Sequence, residues 1–179
     1  MRILGISGSL RPGSSTSAVV RAAGRLAPAG VDFAVYDGVG DLPHFIPDLD
    51  TDAPPAPVQL LRDAIAAADA LLLCTPEYAH GMPGSLKNML DWLVSWPGFV
   101  GKRVAVLSAS PSAQGGHHAH AWLLQTVTVM SADVVAEASL MIPYVKKKLD
   151  PNGELADPET ERMLAAAMKA LAAPGPPEP

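Results

Sequence analysis

The sequence has a single cysteine and no long apolar run. Among its 179 residues only Cys74 is a cysteine, which excludes an intramolecular disulfide framework and favours a reducing compartment. No stretch of about 20 apolar residues occurs, so no membrane-spanning helix is expected. The N-terminus lacks the apolar run and small-residue cleavage site of a signal peptide. Together these absences predict a cytoplasmic location.

Basic residues are in the minority and internal repeats are absent. The 13 Lys and Arg against 18 Asp and Glu give a net charge of −5, which argues against nucleic acid as the main partner because phosphate-backbone contacts need a basic face. One local arginine can still serve an anionic cofactor. The length predicts one domain. We expect it to cover residues 1–172, followed by a disordered Pro-rich tail over 173–179.

Apolar strand patterns alternate with helical patterns along the chain. Strands are expected at residues 2–7, 31–36, 70–75, 103–108 and 134–141. Helices are expected at residues 17–26, 58–68, 83–94 and 115–130, and a last one begins at Pro158 with Asp157 as its N-cap. This alternation predicts an α/β fold with a parallel sheet covered on both faces. Ligands of such sheets bind beyond the carboxyl ends of the strands.

The loop after the first strand is rich in hydroxyl groups. Residues 7–17 include five serines, one threonine, two glycines, one arginine and no acid. Phosphate oxygens only accept hydrogen bonds, and hydroxyls, a guanidinium and the N–H groups of a helix start can donate them. The motifs of a P-loop, a dinucleotide fingerprint and a hydrolase nucleophile elbow are absent. The loop therefore predicts a site for a terminal monophosphate; the alternative is a polar loop that only caps its helix.

Two further loops follow the third and fourth predicted strands. In residues 75–84, two prolines and two glycines restrict the backbone, and Tyr78 and His80 offer planar faces, which suits a flat, partly apolar ring such as a flavin. His80 is either an exposed loop histidine or, as the weaker alternative, a proton donor. Residues 108–116 are small and polar, and Gln114 could meet the carbonyl edge of a flavin. No other catalytic side chain is predicted.

Three remaining features have a structural and a functional interpretation. His117, His118 and His120 could suggest a metal site, but they do not share one helical face, so a polar helix start is favoured and no metal is predicted. Residues 146–148 are three lysines, for which a solvated surface is favoured over attraction of the extra phosphate of NADPH. Cys74 lies in an apolar strand and is expected in the core.

Two separated motifs resemble the NADPH-dependent FMN reductase family, which includes quinone, chromate and azo-dye reductases. The first is Gly8-Ser9-Leu10-Arg11 with Ser14 following. The second is Thr75-Pro76-Glu77-Tyr78, leading to Pro83-Gly84-Ser85-Leu86-Lys87-Asn88 and Asp91-Trp92. The match extends to about residue 171. It implies a flavodoxin-like, doubly wound, five-stranded parallel sheet with strand order 2-1-3-4-5.

The resemblance also implies a site for FMN, bound without a covalent link. Residues implied at the phosphate are Ser9, Arg11, Ser14, Ser15 and Thr16. Residues implied along the isoalloxazine are Pro76, Glu77, Tyr78, Ala79, His80 and Gly81, with Ser110 and Gly115 from the third loop. The family often has Asn where Thr16 and Ala79 stand. Thr16 keeps a hydroxyl donor, whereas Ala79 leaves only backbone contacts.

The implied activity is hydride transfer from NADPH or NADH to FMN, followed by two-electron transfer to a small acceptor. Quinones, azo compounds, metal oxyanions and free flavin are all candidates. The resemblance also implies a homodimer or homotetramer, with the flavin near an interface formed by the helix carrying Asn88, Asp91, Trp92 and Trp96. The alternatives are a flavodoxin-type electron carrier and a non-catalytic flavin-binding interaction module.

Overall fold

A six-stranded sheet with helices on both faces forms the fold in the computed structural model, which describes residues 1–175. The strands are β1 (Arg2–Ser7), β2 (Asp32–Tyr36), β3 (Ala70–Thr75), β4 (Arg103–Ala109), β5 (Asp133–Val134) and β6 (Leu140–Ile142). The α-helices are α1 (Ser15–Arg25), α2 (Ala56–Ala66), α3 (Gly84–Asp91), α4 (His117–Val129) and α5 (Pro158–Ala172). Within residues 1–175, no helix is both long and apolar enough to cross a bilayer. Positions 176–179 of the predicted tail lie outside the described residues.

The sheet has the predicted doubly wound topology. Its order is β2-β1-β3-β4-β5, with every pair parallel, and β6 continues beside β4 beyond β5. Helices α1 and α5 pack on one face, while α2, α3 and α4 pack on the other. All six residues of β3 are buried, because a central parallel strand is covered on both sides. The flavodoxin-like order is therefore confirmed.

The last predicted strand is interrupted in the structure. Residues 134–141 were expected to be continuous, but a 3₁₀ turn at Ala136–Ala138 separates β5 from β6. At this interruption the Val106 N–H of β4 bonds a side chain instead of a strand carbonyl, since the Ser139 Oγ accepts from it at 3.2 Å. A side chain thus replaces a backbone partner in the ladder.

Helix α1 begins two residues earlier than predicted. Ser14 is its N-cap, and the Ser14 side chain accepts a hydrogen bond from the Thr16 N–H at 3.2 Å. Sequence periodicity locates the apolar face of a helix more reliably than its first turn. As a consequence, Ser15 and Thr16 belong to the first turn of α1 rather than to a free loop.

The start of α5 supports a prediction about pH. Asp157 caps the helix as predicted, and its Oδ2 accepts from the Thr160 N–H at 3.0 Å, the Thr160 hydroxyl at 2.6 Å and the Lys148 ammonium at 2.9 Å. The hydrogen bond from Thr160, followed by that from Lys148, lowers the pKa of Asp157 to about 2. Because the folded pKa lies below the unfolded value of about 3.9, this contribution to stability is present above pH 4. It is lost as the pH falls toward 2.

The Asp157→Asn variant isolates this effect, since an amide still caps the helix but does not titrate. We expect the thermal midpoint of the wild type to fall more steeply than that of the variant between pH 5 and pH 2.5. Parallel midpoint curves would show that the Asp157 carboxylate does not contribute.

Candidate functional site

A pocket of about 420 Å³ opens at the carboxyl ends of β1, β3 and β4. The chain runs from β1 outward to β2 and then returns to β3 on the other side of β1, so the pocket lies at the switch point of the sheet, where such folds bind ligands. Its volume is within the range of about 300–1,000 Å³ that is usual for small-molecule sites. Its lining combines the first two predicted loops with part of the third.

Hydrogen bonds between hydroxyl groups stabilise the first loop. The Thr16 Oγ1 lies 2.7 Å from Ser14 Oγ and 3.0 Å from Ser7 Oγ, and Ser17 donates to Ser7 at 3.0 Å. Thr16 is almost completely buried. Its hydroxyl is thus engaged within the loop, where it fixes the start of α1 beside the pocket.

Two positively charged side chains line the pocket. Arg11 lines the pocket together with Ser9, Ser14 and Ser15, and Lys146 lines it as well. The Arg11 guanidinium is exposed and donates to the Gly13 carbonyl at 3.4 Å. Two cations, several hydroxyls and a helix N-terminus together suit a phosphate monoester.

Two wall residues, Val145 and Lys146, were not predicted as site residues. They come from the segment after β6, which is held against the third loop by hydrogen bonds from the Tyr144 N–H to the Ser112 carbonyl and from the Val145 N–H to the Ser110 carbonyl, both 3.1 Å. The run of lysines at residues 146–148 indicated positive charge in this segment, but the sequence did not show which of the three lines the pocket. Lys148 bonds Asp157, while the Lys147 ammonium lies 5.3 Å from the centre of the Tyr144 ring.

Glu77, predicted along the flavin, has its carboxylate engaged with a helix. Its Oε2 accepts from the backbone N–H groups of His118 at 2.9 Å and Ala119 at 3.1 Å. The N-cap position of α4 is Gly116, which has no side chain to perform this role. Glu77 therefore caps α4 from another loop and ties the second loop to the third.

A tight turn forms the rim of the second loop. Tyr78 and Gly81 exchange two backbone hydrogen bonds of 2.9 and 3.0 Å. Between them Ala79 and His80 have φ values of 49° and 59°, the left-handed pair of a type I′ turn. The Tyr78 hydroxyl lies 3.4 Å from Ser9 Oγ. The turn thereby links the second loop to the first.

Ala79 is strained in this turn, which gives a stability prediction. The left-handed conformation costs an L-residue other than glycine roughly 1–2 kcal/mol, and asparagine tolerates it better than alanine. We expect Ala79→Asn to raise the free energy of unfolding by about 0.5–1 kcal/mol, measured by urea denaturation. The control is Ala53→Asn, at an exposed position without positive φ. Equal effects at both positions would contradict a strain-based gain.

The third loop lines the pocket through two residues that were not predicted. Its wall residues are Ala109 and Pro111. Ser110 instead bonds Ser112, with Oγ to Oγ at 3.1 Å, and the Gly115 carbonyl accepts from the Ser108 hydroxyl at 2.7 Å. Ser110 and Gly115 thus make hydrogen bonds within the third loop, and their contact with FMN stays a prediction. Gln114 lines a separate depression with His117 and Met141.

The histidines lie close together at the edge of the site. The His118 ring centre is 4.5 Å from that of His80 and 3.8 Å from that of His117. His80 is 77% exposed, and its Nδ1 is 3.9 Å from Glu77 Oε1. Burial lowers the pKa of His120. In the part of the chain that the structure describes, no three His, Cys, Asp or Glu side chains are arranged to hold a metal ion.

Two residues expected at a subunit interface face inward. Trp92 is fully buried and donates from Nε1 to the Pro43 carbonyl at 2.8 Å. Asn88 donates to the same carbonyl at 2.9 Å and accepts from the Phe45 N–H at 2.8 Å. These two side chains are therefore unavailable to a partner, because Pro43 and Phe45 cover them, whereas Asp91 of the same helix lines an exposed groove. Cys74 is buried as expected, and burial raises the pKa of its thiol.

A different apolar surface is exposed nearby. Val94, Val100, Trp122 and Val129 border an open groove of about 520 Å³. Trp122 is 58% and Val129 78% exposed. A Cβ at Gly81 would lie 3.5 Å from the Trp122 ring, so the groove begins beside the rim of the second loop. We call these four side chains the apolar face.

Comparison with known proteins agrees with this architecture. Residues 1–147 match the model of a family described as NADPH-dependent FMN reductase. An NAD(P)H-dependent FMN reductase of Pseudomonas aeruginosa is 35% identical, over 96% of this chain and 93% of that protein. A quinone reductase of Escherichia coli is 31% identical, over 96% and 93%. The solved structure of the NAD(P)H:(acceptor) oxidoreductase FerB of Paracoccus denitrificans superposes with a TM-score of 0.80 at 29% identity, covering 95% and 94% of the two chains.

Proposed function

The chain belongs to the NADPH-dependent FMN reductase family, and from this premise we propose that it binds FMN in the switch-point pocket and reduces a small quinone. It is an NAD(P)H-dependent oxidoreductase that uses FMN. The observation that carries the proposal is the arginine- and hydroxyl-rich loop facing the Tyr78 turn across one pocket. The quinone comes from the name of the Escherichia coli relative. Azo compounds, metal oxyanions and free flavin stay alternatives.

The phosphate end of FMN fits the first loop. Hydroxyls of Ser9, Ser14 and Ser15 would donate to it, with Arg11 and Lys146 supplying charge. Thr16 would orient the Ser14 side chain through the hydrogen bond between their hydroxyl groups. The carboxylate lining this pocket, Glu77, is bound to α4, so it is held away from an incoming dianion.

The ring end fits the opposite wall. Pro76, Tyr78, Ala109 and Pro111 give it flat and apolar surfaces, and the turn at Ala79 and His80 would border the ring. The chemistry that FMN supplies when bound is two-electron transfer from a nicotinamide to an acceptor. The residues position the rings and exclude water. Because His80 is largely exposed, we assign it no fixed proton transfer.

We propose that a second copy of the chain covers the apolar face. Large side chains that are more than half exposed and lie together are typical of an interface. The contact would bring the partner next to the Tyr78 turn through Trp122. A homodimer built this way would keep α3 at the interface, because Lys87 and Asp91 line the same groove, but it would not include the buried Trp92. We also propose a cytoplasmic location and a single domain over residues 1–172.

Anaerobic titration of the FMN-loaded protein tests the proposed function. NADPH or NADH is expected to bleach the visible flavin absorbance, and 1,4-benzoquinone is expected to restore it and to sustain repeated nicotinamide oxidation. A flavin that binds but does not bleach would indicate an electron carrier. A protein that does not retain FMN would indicate a non-catalytic module of this fold that has lost the flavin.

A further inference from the structure

The first turn of α3 contacts the first loop at Gly8. The Ser85 hydroxyl donates to the Gly8 carbonyl at 3.2 Å, across 77 residues of chain. At the other end of the same residue, the Gly8 N–H donates to the Cys74 carbonyl of β3 at 2.8 Å. Gly8 is therefore held by the central sheet through its N–H and by α3 through its carbonyl.

Gly8 lies directly against the side chain of Leu86, the residue that follows Ser85. Leu86 is fully buried, and a Cβ at Gly8 would lie only 2.8 Å from its Cδ2 atom. Because glycine has no Cβ, it permits this close approach of the loop backbone to the helix. The approach is what brings the Gly8 carbonyl within hydrogen-bond reach of the Ser85 hydroxyl.

The peptide group between Gly8 and Ser9 is bonded at both of its polar atoms. Its carbonyl oxygen accepts from Ser85, and its N–H, which belongs to Ser9, donates to the Ser7 hydroxyl at 3.3 Å. The carbonyl and the N–H of a planar trans peptide point in opposite directions. The two hydrogen bonds together therefore define one orientation of this peptide, with its carbonyl turned toward α3. Ser9 lines the FMN pocket, whereas Ser85 does not.

We propose that Ser85 is a positioning residue for the phosphate of FMN. Its hydroxyl keeps the Gly8 carbonyl bonded to α3 and so keeps this acceptor from turning toward the phosphate, whose oxygens need donors. Without that hydrogen bond the Gly8–Ser9 peptide is free to rotate, because glycine has few steric restrictions. The inference rests on the proposed function, since it concerns the pocket in which FMN would bind.

The alternative is that Ser85 only stabilises the start of α3. Serine in the first turn of a helix often bonds the backbone of its own helix, but the Ser85 hydroxyl donates to Gly8 in a different loop. A role confined to α3 would change the stability of the fold and would affect the binding of any flavin equally. A role in positioning the loop affects only a flavin that carries the phosphate.

Binding of FMN and of riboflavin to Ser85→Ala separates the two interpretations. We expect this variant to bind FMN about three- to tenfold more weakly than the wild type, the effect of one neutral hydrogen bond, and to bind riboflavin with unchanged affinity. Ser85→Thr keeps the hydroxyl and should restore FMN binding. The matched control is Thr128→Ala, which should change neither affinity. Thr128 is exposed on α4, and its hydroxyl also donates to a backbone carbonyl, that of Leu124, at 2.8 Å.

Amide hydrogen exchange of the flavin-free protein provides an independent measurement. The Ser9 N–H is expected to exchange about threefold or more faster in Ser85→Ala than in the wild type, because it belongs to the peptide that Ser85 holds. Equal weakening of FMN and riboflavin binding, unchanged FMN binding, or unchanged exchange at Ser9 would each overturn the inference. A wild type that does not bind FMN would instead contradict the proposed function, and the exchange measurement would still test Ser85.

Discussion

FMN is expected to bind the Arg11→Ala variant about ten- to a hundredfold more weakly than the wild type. Arg11 lines the pocket, and in the proposed complex its guanidinium would donate to the doubly charged phosphate. Hydrogen bonds to charged groups contribute about 1.5–3 kcal/mol each. The measurement is a titration of apoprotein into FMN, followed by quenching of flavin fluorescence.

Arg162→Ala is the control for this substitution. Arg162 is exposed on α5, so its removal changes the net charge equally without touching the pocket. If both variants lost affinity to the same extent, the effect would be long-range attraction rather than a contact at Arg11. Repeating the titration at high salt separates the two effects, because long-range attraction is screened.

Replacing Arg62 by methionine is expected to lower the free energy of unfolding by about 3–5 kcal/mol. The side chains of Arg62 and Asp50 are only 7% and 9% exposed, and they bond at 2.6 Å. Arg62 also donates to the Trp92 carbonyl at 3.0 Å and the Thr51 carbonyl at 3.4 Å. Methionine fills much of the same volume but leaves the Asp50 carboxylate buried without a cation.

Urea denaturation of three proteins checks this assignment. Arg62→Met should show the large loss, and the double variant Arg62→Met with Asp50→Asn should recover part of it, because no buried charge remains unpaired. A single variant within about 1 kcal/mol of the wild type would show that water reaches the pair and screens it.

Local sequence patterns predicted the sheet and one helix closely. The bounds of β1 and β3 match the predicted ranges, since short apolar runs between polar residues define buried strands. Asp157 and Pro158 located the start of α5 because capping depends on adjacent residues. The order of strands followed from the family resemblance, and the structure confirms it.

Long-range contacts explain what the sequence could not predict. Glu77 caps α4 across 41 residues of chain, and no local pattern indicates such a partner. Trp92 is buried under a segment remote in sequence, whose Pro43 carbonyl accepts from its indole and whose Phe45 ring packs edge-on against it. Lys146 lines the switch-point pocket only because the chain after β6 is bonded to the third loop, through the Val145 N–H and the Ser110 carbonyl. In each case a segment remote in sequence decides the role of the side chain.

Comparing FMN with riboflavin is the most direct test of phosphate-anchored binding, because the two molecules differ only in the phosphate. The wild type is expected to bind FMN at least a hundredfold more tightly, on the order of two or more charge-assisted hydrogen bonds. In Arg11→Ala this difference should shrink. Equal affinity of the wild type for FMN and riboflavin would contradict the assignment of the loop from Gly8 to Thr16 as the phosphate site.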